Sequence, residues 1–174
     1  MRWKIVIGLG NPGKEYAATY HSLGYSAADM LAGGEKFRRH GNFEYCRLGE
    51  ILVVKPLTFM NESGLAASAA LSFFKVKPEE ILVIHDDSDI ILGNYKLVCG
   101  RGAAGHNGVK SVISELGTDR FCRLRLGIRK EGLRAKAGGF VLGKIKKEEE
   151  APLESAIKNG LAEAGITAPT SSVD

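Results

Sequence analysis

Five polar side chains that could do chemistry stand near the ends of apolar segments: Asn11, His21, Asn61, Asp86 and Asn107. A histidine beside a carboxylate can act as a general base, because the carboxylate fixes the tautomer of the imidazole. The sequence has no G-x-S-x-G motif that would present a serine nucleophile. Such a pair is suited to activating water, and amide side chains can orient a reacting carbonyl group. We therefore predict that His21 and Asp86 activate water while the asparagines orient a substrate.

Each of these residues also has a structural interpretation when it is taken alone. His21 could be a surface or helix-cap histidine, and Asp86 could form a turn. His85 and His106 are more typical of structural residues. The four histidines of the chain lack the spacing of a motif such as H-E-x-x-H, so we predict no metal site. The joint arrangement of the polar residues, rather than any one of them, indicates a functional site.

The first strand is followed by the spacing Gly8-x-Gly10-x-x-Gly13, which also occurs in dinucleotide-binding proteins. Pro12 has no N–H group to offer a pyrophosphate. No second strand ending in an acidic residue follows about 20 residues later, where a ribose contact would be needed. A nucleotide-dependent oxidoreductase is therefore a weak alternative. The Asn-Pro-Gly sequence is instead interpreted as a turn that directs Asn11 towards a ligand.

Helix and strand patterns alternate along the chain, which is typical of an α/β layered fold. Wholly apolar runs such as 81–84 are typical of strands that are covered on both faces. Polar residues follow three of these runs, at the edge of the sheet where ligands bind in open α/β proteins. The predicted strands are 5–7, 43–48, 51–54, 81–84 and 122–128, and the predicted helices are 22–33, 61–76, 105–116 and 151–164.

The length and composition indicate one domain over residues 1–174, with a disordered tail at about 167–174. No apolar segment approaches the roughly 18 residues of a membrane span, and the first apolar run is too short for a secretion signal. We therefore predict a cytoplasmic protein. Cys46, Cys99 and Cys122 are scattered and have no C-x-x-C spacing, which predicts reduced packing residues, without a disulfide or a zinc site.

Basic residues are concentrated in one part of the chain. The formal net charge is +4, and residues 101–147 contain twelve Lys or Arg against three Asp or Glu. This excess suits a surface that attracts the phosphates of a nucleic acid, but a solubilising face would have the same composition. Charge alone leaves both interpretations open.

Six stretches carry the most distinctive motifs: 8–21 (GLGNPGKEYAATYH), 55–64 (KPLTFMNESG), 81–86 (ILVIHD), 105–110 (GHNGVK), 121–128 (FCRLRLGI) and 139–143 (GFVLG). In these stretches and in their order, the chain resembles the bacterial-type peptidyl-tRNA hydrolases over nearly its whole length. The resemblance implies a single α/β domain with a twisted, mixed and largely parallel sheet. It also implies helices on both faces of the sheet, in a phosphorylase/hydrolase-like fold.

The resemblance further implies hydrolysis of the ester bond between a peptide, or an N-blocked aminoacyl group, and the 3′-terminal ribose of tRNA, which recycles the tRNA. It also implies an ester hydrolase that needs no cofactor, acts on peptidyl-tRNA, binds neither DNA nor membranes, and works as a cytoplasmic monomer. The alternative is a catalytically silent relative that acts as an RNA-binding module. The joint presence of His21, Asp86 and the three asparagines favours the enzyme, because a binding module needs no general base.

The resemblance also suggests a role for each candidate residue. His21 is similar to the general base, and Asp86 to the carboxylate that holds and polarises it. Asn11 resembles the residue that distinguishes a blocked peptide amide from a free amino group. The remaining candidates would bind the substrate or tRNA: Asn61 and Asn107 as donors that position substrate and water, Tyr16 and Phe59 against the terminal nucleotide or the peptide, Met60 and His106 in the pocket, and Arg125 at a tRNA phosphate.

Some positions depart from the family's pattern. Tyr20 and Ser22 stand where the family usually has Arg and Asn, which predicts weaker hydrogen bonding around the histidine. Segments 98–105 and 127–130 lack basic and glycine residues that are usual in the family, which predicts altered tRNA affinity. Residues 138–143 correspond to a mobile lid beside the site.

Overall fold

A seven-stranded mixed sheet lies at the centre of the computed structural model, which describes residues 3–132 and 140–167. The strands are β1 (Ile5–Gly8), β2 (Arg38–His40), β3 (Phe43–Leu48), β4 (Ile51–Pro56), β5 (Ile81–Ile91), β6 (Tyr95–Cys99) and β7 (Cys122–Arg129). Their spatial order is β2-β3-β4-β1-β5-β7-β6. The neighbours β4, β1, β5 and β7 run parallel, whereas β2–β3, β3–β4 and β6–β7 are antiparallel pairs.

Helices pack on both faces of this sheet. They are α1 (Leu23–Ala32), α2 (Ser63–Phe74), α3 (Asn107–Leu116) and α4 (Lys147–Glu163). Val6 of β1 belongs to a core cluster with α1 and α4, whereas its neighbours Ile5 and Ile7 belong to a cluster with α2 and α3. Successive strand residues point to opposite faces, so a strand covered on both sides is apolar throughout. The predicted α/β fold with a largely parallel sheet is confirmed.

The first two glycines of the N-terminal motif allow α1 to pack closely on β1. A Cβ atom at Gly8 would lie 2.1 Å from the carbonyl oxygen of Gly24 in α1, and one at Gly10 would lie 2.5 Å from the Tyr25 ring. Side chains at either position would therefore displace the helix. This packing explains the glycines at positions 8 and 10 without a nucleotide.

The strand that carries Asp86 is longer than the sequence indicates. β5 continues to Ile91, so His85 and Asp86 lie inside the strand rather than after it. Asp86 is paired with Leu126 of β7. The strand can continue past its apolar residues because its hydrogen bonds to β7 are made by the backbone and not by side chains. The strands β2 and β6 were not predicted, since both are short and mostly exposed or half-buried. The final helix begins at Lys147 instead of 151.

The starts of two helices also differ from the predicted ranges, which begin at residues 22 and 61. A 3₁₀ turn, Met60–Glu62, precedes α2, so Asn61 is not the residue that begins this helix. Ser22 does stand immediately before α1, but its side chain makes no capping hydrogen bond and is buried. Gly33, the last residue of the predicted range, follows α1 in the left-handed conformation and ends the helix.

The prediction of three reduced cysteines is wrong for two of them. Cys99 and Cys122 form a disulfide, and they lie directly opposite each other in the antiparallel pair β6–β7. Because β6 was not predicted, its pairing with β7, which brings the two thiols together, was not predicted either. Cys46 is free and buried, as expected of a packing residue.

Among residues 3–132 and 140–167, no helix is both long and apolar enough to cross a membrane. The predicted disordered tail lies outside the described residues beyond position 167, as do residues 138 and 139 of the predicted lid. The assignment of residues 1–174 to one domain stays a prediction.

Candidate active site

His21 and Asp86, 65 positions apart in sequence, are hydrogen-bonded to each other. The Nδ1 atom of His21 lies 2.9 Å from Oδ1 and 3.0 Å from Oδ2 of Asp86. His21 belongs to the 3₁₀ turn Tyr20–Ser22, which leads into α1, and its side chain is 12% exposed, against 2% for Asp86. The predicted pair is therefore assembled, with the imidazole at the surface of the site and the carboxylate beneath it.

His106 is the second partner of the same carboxylate. Its Nε2 atom lies 3.0 Å from Oδ1 of Asp86, and its Nδ1 atom accepts a hydrogen bond from the backbone N–H of Val109. Burial disfavours the charged form of Asp86, but His106 and His21 outweigh this effect and hold the pKa of its carboxyl below the usual range. Asp86 is thus an anion at neutral pH.

These contacts determine which ring nitrogen carries a proton. The Nδ1 atom of His106 is an acceptor, so its Nε2–H donates to Asp86. An ionised carboxylate can only accept, so Nδ1–H of His21 also donates. The Nε2 atom of neutral His21 is left with a lone pair. That atom is the one with which His21 can remove a proton from water.

The same hydrogen bonds bear on metal binding. His21, Asp86 and His106 offer three ligand atoms that lie within 4.8 Å of one another. A metal needs a lone pair on each coordinating nitrogen, whereas both nitrogens that face Asp86 here are donors. The observed arrangement is that of a hydrogen-bonded triad, and the absence of a metal or cofactor stays a prediction.

His85 lies beneath this triad in β5 and is completely buried. Its Nδ1–H donates to the carbonyl oxygen of Asp86 at 2.7 Å, and its Nε2 atom faces the guanidinium of Arg123 at 3.4 Å. Its ring centroid lies 4.5 Å from that of His106. Burial, reinforced by His106, holds the pKa of His85 well below its ordinary value. This histidine is therefore a neutral support for the site.

Arg123 is an additional supporting residue that the sequence interpretation treated only as part of a basic run. Its side chain is buried, and its Nη2 group donates to the carbonyl oxygens of Arg101 and Gly102 at 3.0 and 2.7 Å. These carbonyls belong to the loop that leads to His106. The partners of a buried arginine depend on the register of the sheet, which local sequence does not reveal.

A cavity of about 200 Å³ lies beside the triad. Four predicted site residues line it, namely His21, Asp86, His106 and Asn107. Asn107 is exposed at the start of α3. The other lining residues are Asp87, Ser88, Ala104, Gly105 and Val141.

Asn11 and Met60 form a second part of the candidate site. The Oδ1 atom of Asn11 accepts a 2.7 Å hydrogen bond from the backbone N–H of Met60, which fixes the amide plane and leaves its Nδ2 group as the donor. Met60 is buried against Gly108, since a Cβ atom there would lie 2.4 Å from the methionine sulfur. Asn61, the next residue, is exposed. None of Asn11, Met60 and Asn61 is among the residues that line the cavity.

The two predicted aromatic contacts lie together at the surface. The rings of Tyr16 and Phe59 meet edge to face with centroids 6.3 Å apart, and Phe59 is 52% exposed. Tyr16 is half-buried, and both residues are outside the cavity lining, but a partly exposed aromatic pair can pack against a nucleotide base or an apolar side chain.

Arg125, the predicted phosphate contact, is already paired within the protein. Its Nε–H donates to Oδ2 of Asp87 at 2.6 Å, and the side chain is 17% exposed. Asp87 lines the cavity, so this ion pair connects Arg125 to the site. Arg125 brings less net positive charge to the surface than the sequence suggests.

Comparisons with known proteins agree with these features. Residues 5–170 match the family model described as peptidyl-tRNA hydrolase. A peptidyl-tRNA hydrolase of Neisseria meningitidis serogroup B is 44% identical over 166 residues, covering 91% of this chain and 86% of the relative. One of Chlorobaculum tepidum is 40% identical over 159 residues, covering 88% and 85%. The crystal structure of the Acinetobacter baumannii peptidyl-tRNA hydrolase superposes with a TM-score of 0.81 at 30% identity, covering 94% of this chain and 87% of that one. The chain belongs to the peptidyl-tRNA hydrolase family.

Proposed function

We propose that His21 activates a water molecule that hydrolyses the ester bond joining a peptide, or an N-blocked aminoacyl group, to the 3′-terminal ribose of tRNA. The observation that carries this proposal is the pairing of His21 with ionised Asp86 at the edge of a cavity. The family supplies the substrate class, and the chain's own residues supply the means of activating water.

In the first step, Nε2 of His21 takes a proton from water while the water oxygen forms a bond to the ester carbonyl carbon. Imidazolium then gives this proton to the ribose oxygen as the carbon–oxygen ester bond breaks. The products are a peptide with a free carboxyl group and tRNA with a free ribose hydroxyl. Asp86 stabilises the positive charge on His21 between these two proton transfers, and His106 keeps Asp86 in place.

The amide side chains would orient the substrate. Asn107 lines the cavity and would position the substrate or the water. Asn11 has its Oδ1 atom bonded to Met60, so its Nδ2–H group would recognise the carbonyl oxygen of a blocked peptide amide. Asn61 and the partly exposed pair Tyr16 and Phe59 would contact the peptide or the terminal nucleotide.

The remaining expectations concern the protein as a whole. Its resemblance to the family supports a cytoplasmic monomer that needs no cofactor and binds neither DNA nor membranes. A silent RNA-binding module is not favoured, because the matched relatives are named as hydrolases.

The deciding experiment is the release of peptide from N-blocked aminoacyl-tRNA by the wild type and by His21→Ala. Loss of the general base should lower kcat by about 10²- to 10⁴-fold. His40→Ala is a matched control, because His40 is an exposed histidine on β2, outside the residues assigned to the site. Equal rates for wild type and His21→Ala would exclude His21 from the mechanism. Binding of tRNA without turnover by the wild type would support the silent module.

A further inference from the structure

The backbone around His21 is attached to a short segment, Phe140–Lys144, which we call the strap. The backbone N–H groups of Tyr20 and His21 donate to the carbonyl oxygens of Gly143 and Val141 at 3.2 and 2.8 Å. Thr19 and Lys144 form an antiparallel bridge beside these bonds. The strap also contributes Val141 to the cavity wall. The position of the His21 backbone and the shape of this wall are therefore coupled.

Tyr20 supports the strap with its aromatic ring. The Tyr20 ring packs edge to face against Phe140, with centroids 5.9 Å apart. Its Cε2 atom would lie 3.7 Å from a Cβ atom at Gly143, so the ring also approaches the other end of the strap turn. Tyr20 is only 3% exposed. The residue next to the proposed general base thus lies beneath the strap instead of pointing to solvent.

The hydroxyl group of Tyr20 extends this support to α4 and to the end of β7. It donates to Oε2 of Glu149 at 2.5 Å, and Nζ of Lys130 lies 2.8 Å from Oε1 of the same carboxylate. The backbone N–H of Lys146 also donates to Oε2, at 2.9 Å. Burial disfavours the carboxylate, but the hydrogen bonds from Lys130 and Tyr20 keep the pKa of Glu149 below its usual value. Glu149 therefore accepts the Tyr20 hydrogen bond as an anion, and such charge-assisted bonds are stronger than neutral ones.

We propose that Tyr20 is a positioning residue, whose bond to Glu149 holds the strap and the His21 backbone in the geometry that the reaction needs. The inference rests on the proposed role of His21, since Tyr20 acts through that residue. In this chain the residue beside His21 is a phenol bonded to a buried carboxylate of α4, so the segment that carries His21 is tied to that helix.

Tyr20→Phe tests this proposal because it removes the hydroxyl group and keeps the ring beneath the strap. We expect kcat for N-blocked aminoacyl-tRNA to fall about tenfold, with KM within about twofold of wild type, because the lost bond orients the base used in the chemical step. Tyr95→Phe is a matched control, since the hydroxyl group of Tyr95 on strand β6 is also hydrogen-bonded to a carboxylate of α4, that of Glu163. Its kcat should equal that of the wild type at the same temperature.

Combining the variants distinguishes positioning from general stability. In the His21→Ala background, Tyr20→Phe should have no further effect on the residual rate, because the group it positions is absent. Glu149→Gln keeps an acceptor but loses the charge, so its kcat should lie between those of wild type and Tyr20→Phe. A Tyr20→Phe enzyme with wild-type kcat would overturn the proposal, as would an equal loss in Tyr95→Phe or a tenfold loss that persists without His21. Inactivity of the wild type would instead contradict the proposed function.

Discussion

Two buried carboxylates, Asp86 and Glu149, are bonded to adjacent residues of one segment, His21 and Tyr20. Glu149 has a permanent cation, Lys130, at 2.8 Å. The ion-pair partners found for Asp86 among the described residues are two imidazoles, which are charged only when protonated. Both carboxylates are anions, but only Glu149 is neutralised by an ammonium group.

This difference suggests separate roles for the two carboxylates. The attraction between Glu149 and Lys130 is present before and after the reaction, so it stabilises the fold equally in every state. In the proposed mechanism, the attraction between Asp86 and imidazolium arises only while His21 holds the proton taken from water. An interaction that is stronger in the transition state than in the ground state accelerates a reaction, whereas a constant one does not.

Neutralising each carboxylate in turn gives the largest expected contrast. Asp86→Asn should lower kcat by about 10²- to 10⁴-fold, because an amide neither stabilises imidazolium nor fixes the required tautomer. Glu149→Gln should lower kcat less than about tenfold, because it weakens the Tyr20 hydrogen bond and removes the ion pair with Lys130 but leaves His21 and Asp86 bonded to each other. Single-turnover hydrolysis of N-blocked aminoacyl-tRNA measures both effects. Similar losses in the two variants would show that Asp86 is no more than a structural anion.

The acid side of the stability curve tests the buried surroundings of Asp86. The pKa of His85 lies well below its ordinary value in the folded protein, whereas an unfolded chain protonates histidine near pH ~6.5. Below that pH the unfolded state binds a proton that the folded state does not, so the free energy of unfolding falls as the pH falls. The contribution of His85 is complete above the unfolded pKa and decreases towards the folded one.

Urea unfolding at pH 7.0 and 5.5 should reveal this effect. Between these two pH values, we expect the free energy of unfolding to fall by about 1 kcal/mol more in the wild type than in His85→Asn. Asparagine does not titrate, and it can still donate a hydrogen bond to the Asp86 carbonyl. His40→Asn controls for the loss of an exposed imidazole. If the wild type and His85→Asn lose equal free energy, His85 is protonated in the folded protein as well.

The residues proposed to take part in the reaction were predicted from the sequence better than the contacts that hold them in position. His21 and Asp86 were paired from their chemistry, and the apolar runs correctly indicated strands buried on both faces. Asp86 was nevertheless placed after its strand, because local pattern does not show that β7 continues beside it. Periodicity describes neighbours along one chain segment, whereas strand ends depend on pairing with a distant one.

The support of the site depends on contacts that span the chain. Arg123 reaches His85 and the loop before His106 through the pairing of β7 with β5, and Tyr20 reaches Glu149 across 129 positions. The disulfide between Cys99 and Cys122 depends similarly on the register of β6 with β7. From residue type alone, Arg123 is a basic residue, Tyr20 an aromatic one, and the two cysteines are thiols. Their partners could be assigned only once the strand order was known.

Asp87 is a third carboxylate that can be compared with Asp86 and Glu149. Changing its ion pair with Arg125 should have the smallest of the predicted effects, and that effect is on tRNA binding. Like Glu149 it has a permanent cation, since Arg125 donates to it at 2.6 Å, yet it lines the same cavity as Asp86. Arg125→Ala should weaken tRNA binding, because it removes the predicted phosphate contact and leaves Asp87 uncompensated near an anionic substrate. The slope of log affinity against log salt concentration should become shallower by about one.

Asp87→Asn makes the opposite change and should strengthen tRNA binding at low salt, because Arg125 would be left without its anion. Arg39→Ala is the matched control, since Arg39 is exposed on β2 and unconnected with the cavity. Titrations of the catalytically weakened His21→Ala protein at several salt concentrations would measure all three changes without loss of substrate. An unchanged slope in Arg125→Ala would place the phosphate contact on another basic residue. A strengthened affinity in Asp87→Asn that disappears at high salt would show that the internal ion pair limits how strongly Arg125 attracts tRNA.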